Sequence, residues 1–345
     1  MSDAKINIYR ALKTNSRYFF IIILLTTLQW TLPAQTSGPR MIPSGKNAER
    51  IINVDRLQER VEFLCDTLFK GRATGTTGSN EAAFWISRQF RKAGLLQMGG
   101  KWGRSFQVGD QAGHNIIGFM PGKRAGVKES YVLVTAHYDS HGMIGGTVYP
   151  GADSNASGVV AMLSIADMFA RMKELGRSYG KNIIFVALDS RERNSQGAEA
   201  LWREIESGRL KDPISGESII PSKIHATVVL DILGSTLSPL RKGRKDYLIM
   251  LGDGQFKYEL IRANDADGLH LDLGFDYYGS DGFTEMFLSK IGDQAVFSRA
   301  GTHCVVFTSG ITMKTNKVED NPLSLNYSIF KKRIFLIFHW LEKVL

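Results

Sequence analysis

The sequence predicts an α/β fold: a mainly parallel central sheet with helices on both faces. Three observations predict it. The runs 131–136, 183–188 and 304–308 are almost continuously apolar and rich in β-branched residues, the character of strands covered on both faces. Segments with helical spacing alternate with such runs. Polar and charged residues follow several of the runs directly, and ligands in folds of this class lie beyond the carboxyl ends of the strands.

Taken in order, a basic stretch ending at Arg17 precedes the apolar run 18–28 and then Pro33-Ala34-Gln35-Thr36. That order predicts a signal peptide over residues 1–35, cleaved near Ala34 or Gln35, and hence export to a periplasmic or extracellular space. A membrane-spanning helix needs about 20 apolar residues. This run is shorter and broken by threonines and Gln29, so no stable membrane span is expected after cleavage; an uncleaved anchor is the alternative. Residues 36–53 are polar with Gly and Pro and read as an extended lead-in, followed by a single domain over 54–345.

Within that domain Leu57, Val61, Leu64 and Leu68 recur at helical spacing, the glycine-rich stretch 71–78 interrupts, and Ala82, Ile86, Phe90 and Leu95 resume. Strands are expected at 115–119 and 131–136 around the turn signal Pro121-Gly-Lys, then at 183–188, 226–230, 247–251 and 304–308. Helices are expected over 158–172, with Val160, Leu163, Ala166 and Phe169 inward, and over 328–344 at the end.

Composition narrows the function classes. With 43% hydrophobic and 22% charged residues in 345, the chain is neither disordered, collagen-like nor a membrane bundle. The net charge of +9 is scattered apart from 241–245 and 331–333, and short basic clusters of that kind are solvated surface. No nucleic-acid partner is predicted. The two cysteines, Cys65 and Cys304, are far apart in sequence; a disulfide and a buried free thiol at Cys304 both fit.

Three strand ends carry the chemistry. The run 131–136 leads into His137-Tyr-Asp-Ser140, 183–188 into Asp189-Ser-Arg-Glu192, and 227–230 into Asp231. Histidine, glutamate and aspartate at one sheet edge are the ligand types of a hydrolytic zinc site. Singly, each also fits a helix cap, a loop hydrogen bond or surface charge.

With Gly71-Arg-Ala-Thr-Gly75, His114-Asn-Ile-Ile-Gly118, Ala136-His-Tyr-Asp-Ser140, Gly151-Ala-Asp-Ser-Asn-Ala-Ser-Gly158 and the stretch 301–310 in this order, the chain resembles the secreted di-zinc aminopeptidases of peptidase family M28. That family also contains glutamate carboxypeptidase and glutaminyl cyclase, and the resemblance runs from about Leu57 to the carboxyl terminus. It implies the zinc-exopeptidase (phosphorylase/hydrolase-like) fold, zinc as cofactor, and peptide or protein N-termini as partners. It places His137 and Asp231 on one metal, Glu192 on the other, and Asp139 as the carboxylate that orients the site.

Three positions depart from the family pattern. Ser154 stands where the aspartate that bridges both metals is expected, with Asp153 one residue early. Arg191 stands at the general base, and Asn316 at the last histidine ligand. Two zinc ions about 3.5–4 Å apart need a shared anion, and a neutral hydroxyl is a poor one. Asparagine is a weak zinc ligand beside imidazole. Arginine cannot accept a proton at neutral pH. The residues therefore predict lost or much reduced peptide hydrolysis, with zinc absent or weakly bound and a peptide-end binding or regulatory role. The alternative is an active zinc exopeptidase with an unorthodox metal site. A one-zinc cyclase is disfavoured because the bridge, the base and the last histidine it needs are missing.

Arg191 is expected to turn its guanidinium toward Glu192, Asp231 and Asp153 and supply the positive charge that zinc would bring; the alternative directs it to solvent. A shifted loop could let Asp153 replace the bridge, and His114 or His141 could lend a ligand, though neither outcome is favoured. His303 and His339 are expected to be structural.

Overall fold

Apolar residues three and four apart make one face of α1 (Val54–Leu64) apolar, and Leu57, Val61 and Leu64 are buried on it. The Asn53 side chain caps this helix by accepting the Arg56 N–H at 2.8 Å. A 3₁₀ stretch, Thr67–Arg72, then leads to α2 (Thr77–Lys92), capped by Thr76. The computed structural model from which this architecture is read describes residues 44–122 and 129–345. The expected signal peptide and the lead-in as far as residue 43 lie outside the described residues. Between residues 44 and 53 the chain is not extended: Lys46–Glu49 forms a helical turn, and Ala48 and Ile52 are buried in the same apolar cluster as α1.

The strands are β1 (Leu96–Gln97), β2 (Gly103–Val108), β3 (Gln111–Met120), β4 (Tyr131–His137), the hairpin β5 (Gly142–Ile144) and β6 (Thr147–Tyr149), β7 (Asn182–Leu188), β8 (Ile224–Leu230), β9 (Tyr247–Gly252), β10 (Asp272–Gly274) and β11 (Cys304–Thr308). All but the hairpin join one sheet in the order β1-β3-β7-β4-β8-β11-β9-β10, with β2 on β3. The central four, β7-β4-β8-β11, are mutually parallel. Antiparallel pairing enters toward the edges, β3 against β7 and β9 against β11.

The expected two-sided burial is present. Every residue of β4 is buried; Val132, Val134 and Ala136 point into one apolar cluster, Tyr131 and Leu133 into the other. The first cluster includes residues of α1, α2, α3 (Gly158–Glu174) and the closing helix Tyr327–Val344. The second takes up α4 (Gln196–Glu206), Phe287 of α6 (Asp281–Lys290) and Val296 and Phe297 of α7 (Asp293–Arg299). Between β9 and β10 runs α5 (Lys257–Ala266), and the closing helix is α8.

In-register parallel pairing sets the functional edge. His137 pairs with Leu188 and Thr135 with Val229, so β4, β7 and β8 deliver their carboxyl ends together. Two glycines permit close approaches there. A Cβ on Gly158 would lie 2.3 Å from the Leu230 carbonyl, and one on Gly71 (φ +69°) would lie 2.5 Å from the carbonyls of Gly142 and Tyr149. The two cysteines are free, with Cys304 buried in β11. Among the described residues no helix is long and apolar enough to cross a membrane.

Candidate functional site

The backbone of β4 runs one residue past His137, where the Tyr138 N–H donates to the Leu188 carbonyl at 2.8 Å. Alternation along this extension places His137 and Asp139 on one side. His137 Nδ1 lies 3.1 Å from the Asp139 carbonyl and 3.4 Å from its Oδ1; Nε2 lies 3.4 Å from Asp231 Oδ1 at the end of β8. Beyond β7, Ser190 turns the chain at φ +66° into the 3₁₀ turn Arg191–Arg193. Both oxygens of Asp139 hold that turn, Oδ1 accepting the Arg191 N–H and Oδ2 the Glu192 N–H, each at 3.0 Å. The Asp139 carboxylate thus holds the backbone of Arg191 and Glu192, while the imidazole meets the Asp139 carbonyl.

The Arg191 side chain is four-fifths buried, 20% exposed, and does not run out to solvent. Its Nη1 lies 3.5 Å from Glu192 Oε1 and its Nη2 3.9 Å from Asp231 Oδ2. Glu192 Oε2 in turn lies 3.3 Å from His141 Nδ1. Asp153 takes no part in this ring.

Asp153 is instead turned the other way. Its carboxylate accepts the N–H of Gly234 at 2.7 Å, that of Ser235 at 3.2 Å, and the Ser157 hydroxyl at 3.2 Å. The loop shift that would make it a bridge does not occur. Ser154 donates its hydroxyl to Asn316 Oδ1 at 3.1 Å. The carboxylate of Asp320 accepts the N–H groups of Asp153 (2.7 Å) and Ser154 (3.0 Å), pinning the loop from the far side. Asn316 sits at φ +62°, a left-handed conformation that asparagine tolerates better than most residues.

Of the other histidines, His114 lies in β3, with Nδ1 3.1 Å from the Ser105 hydroxyl. His339 is structural, as expected: Nε2 lies 2.6 Å from Glu49 Oε1 and Nδ1 3.1 Å from Glu342 Oε2. His303 is half-exposed and pairs with Asp253 at 2.5 Å.

Four further residues belong to this region. His141 enters through Glu192. Arg72, fully buried, donates to the carbonyls of Tyr138, Leu64, Pro150 and Gly151 and so ties both site loops to the end of α1. Asp320 anchors the Ser154 loop. Asp293, buried at the start of α7, lies close enough to interact electrostatically with Arg191 and His137. No motif or strand end marks Asp293 in the sequence, so only the fold reveals it.

The electrostatics follow from burial and neighbours. Burial opposes a charged His137, but Asp139 and Asp231 outweigh it and push the imidazole up to about 10. Burial also opposes ionisation of Asp231, yet His137 and Arg191 hold its carboxyl below the usual range. Arg191 is raised above the ordinary arginine value because Asp231, Glu192, Asp293 and Asp139 together outweigh its desolvation. Burial raises Asp293 to about 6, with His137 and Arg191 acting against the rise. Four buried atoms, His137 Nε2, Asp231 Oδ1, Arg191 Nε and Asp293 Oδ1, have no hydrogen-bond partner among the described residues.

These side chains do not present the donor set of a two-zinc centre. A guanidinium lies between two of the carboxylates, and the Ser154 hydroxyl is bound to an amide. Among the described residues no three or more His, Cys, Asp or Glu side chains are disposed to hold a metal ion.

A mainly parallel sheet with helices on both faces, and a His–Asp–Glu site at its strand ends, defines a domain of the zinc-exopeptidase class. The model of the family described as "Peptidase family M28" matches residues 115–317, and the chain belongs to that family. It is 26% identical over 162 residues to the "Alkaline phosphatase isozyme conversion protein" of Escherichia coli (strain K12), covering 43% of this chain and 46% of that protein. It is 28% identical over 240 residues to "BOS complex subunit ncln" of Danio rerio, covering 67% of this chain and 40% of that one. The chain thus spans less than half the length of these curated relatives. The structure of BSAP, a zinc aminopeptidase from Bacillus subtilis, superposes with a TM-score of 0.61 at 13% identity, over 84% of this chain and 95% of that one, a likeness of fold.

Proposed function

We propose that this chain is an exported member of peptidase family M28 whose peptide hydrolysis is lost or much reduced, and which keeps its strand-end pocket to bind peptide or protein N-termini in a binding or regulatory role. The observation that carries this reading is the position of the Arg191 guanidinium, 3.5 Å from Glu192 and 3.9 Å from Asp231, at the place expected for a general base. A permanent cation there cannot take a proton from water, and it offsets the charge of carboxylates that would otherwise attract a metal. Zinc is accordingly absent or weakly bound in this reading. That one relative is named as a subunit of a complex is in keeping with a role that needs no turnover.

The second reading, an active zinc exopeptidase with an unorthodox site, is favoured by His137, Glu192 and Asp231 all standing at one sheet edge. Elemental analysis of the purified protein, paired with chromophore release from aminoacyl substrates, separates the two. The first reading expects sub-stoichiometric zinc and no turnover above background. Stoichiometric zinc with turnover abolished by a chelator establishes the second instead.

A further inference from the structure

Between the helical turn Lys46–Glu49 and α8 lies a cleft of about 450 Å³. We infer that this cleft binds a phosphate monoester group. None of its lining residues belongs to the strand-end site, so the inference is independent of how that site is read.

Lys46 and Arg50 stand four residues apart on the turn and its C-cap, and Lys331 and Phe335 four apart on α8. Each pair shares one face of its element, and both faces line the cleft. Among the described residues the charged ends of Lys46, Arg50 and Lys331 have no carboxylate partner; Lys331 only overlies the Phe335 ring, 5.9 Å from its centroid. Residues 1–43 and 123–128, outside the described ones, contain a single carboxylate, Asp3. The one acid in the lining, Glu49, is committed to the body, with Oε1 2.6 Å from His339 Nε2. Burial opposes a charged His339, but Glu342 and Glu49 outweigh it and raise the imidazole to about 9, so it is a cation at neutral pH. Glu342 and Asp267 also face His339, and Arg177 lies 3.3 Å from Glu342. Two cations therefore meet three carboxylates behind the cleft, which leaves one negative charge against three free positive ones in front. Lys332 adds nothing to that balance, because it pairs with Asp246 at 3.6 Å.

The types of cation favour phosphate over carboxylate. A guanidinium fork matches two phosphate oxygens, and each lysine adds a point charge. A group carrying nearly two negative charges at neutral pH meets three cations more fully than a carboxylate does. Ile52 and Phe335, both buried against the core, give the cleft an apolar floor for the carbon stem beside the phosphate. Two sources present this group, a soluble phosphate ester and the headgroup of phosphatidic acid, and both share the chemistry required.

Two arms test the inference on the full chain in phosphate-free buffer. The first is calorimetric titration with glycerol 1-phosphate and, for comparison, glycerate. The second is flotation with phosphatidylcholine vesicles with and without phosphatidic acid. Its readout is the difference between the two compositions, so any contribution of the apolar run 18–28 that is common to both cancels. The phosphate form is expected to win by about tenfold in at least one arm, with the advantage shrinking as salt is raised. Arg50→Glu and Lys331→Glu are each expected to reduce the advantage and together to abolish it, at unchanged melting temperature. If charge reversal lowers the melting temperature, Arg50→Gln with Lys331→Gln removes the charges without reversing them and is expected to give the same loss. An advantage in the first arm alone identifies a soluble ester as the source, and one in the second alone a lipid headgroup. No advantage in either arm, or one that survives both double variants, overturns the inference.

Discussion

The carboxylate of Asp139 accepts the backbone N–H of Arg191 through Oδ1 and that of Glu192 through Oδ2, both at 3.0 Å. One fully buried side chain therefore sets the position of the whole 3₁₀ turn that carries the charge of the site. Asp139→Asn keeps the volume but replaces one acceptor by an NH₂ group facing an N–H donor. The expected outcome is a loss of about 1–3 kcal/mol, read from the shift of the urea midpoint at unchanged slope.

Arg72 makes a second prediction, because its guanidinium is the shared partner of four backbone carbonyls on three segments. Arg72→Met preserves much of the apolar stem and takes this donor from all four carbonyls; the Gly151 carbonyl keeps the Ala156 N–H and that of Pro150 keeps the Cys65 thiol. A destabilisation of about 3–5 kcal/mol is expected. Arg72→Lys, with three donors on one nitrogen, is expected to recover only part of it, since a single ammonium cannot span acceptors on Tyr138, Pro150 and Gly151 together. Equal stability of all three proteins in denaturant titration would contradict the assigned role.

How far these relationships were legible beforehand varied with the kind of signal. The central strands were, because a strand buried on both faces has no polar alternation and Tyr131–His137 shows none. The edge strand Gly103–Val108 was not, since it is only partly covered and carries Arg104, Ser105 and Gln107. The helix Gln196–Glu206 was missed because it follows directly on a run of polar and charged residues, and Asp293–Arg299 because it has only seven residues and begins just after the preceding helix. At the site, His137, Asp139, Glu192 and Asp231 could be placed at one edge because each directly follows a strand or its turn. Asp153 could not be assigned, because whether it faces the site or the Gly234–Ser235 backbone depends on loop dihedrals that composition does not encode. Asp293 and Arg72 gave no local signal; they matter through chain segments distant in sequence.

A pH prediction follows from His339, which faces Glu49, Glu342 and Asp267, with Arg177 also bound to Glu342. Burial lowers its affinity for a proton, but these carboxylates outweigh burial and raise it to about 9. The folded state therefore holds the proton more tightly than the unfolded chain, whose histidine titrates near 6.5. The stabilisation, at most about 3 kcal/mol, is fully present below pH 6.5 and is lost as pH rises through about 9. His339→Gln is expected to flatten the fall in melting temperature over that window; an unchanged slope would show that other groups cause it.

The last prediction concerns the three positions that depart from the family pattern. Arg191→Glu alone adds a carboxylate beside Glu192 and Asp231 with no compensating cation, so it is expected to destabilise the fold without binding zinc strongly. Ser154→Asp and Asn316→His alone leave the guanidinium in place, and neither is expected to take up metal. Together the three changes would supply a bridging carboxylate, an imidazole and a base while removing the cation. His at position 316 is among the residues that tolerate φ +62°. The triple variant is expected to bind zinc in titration calorimetry, with elemental analysis on the dialysed protein confirming stoichiometry, and each single variant is not. If the triple variant binds no better than the singles, the surrounding contacts also decide the outcome. The Asp320 anchor that fixes the Ser154 loop and the Asp139 clamp on residues 191–192 are then the next positions to alter.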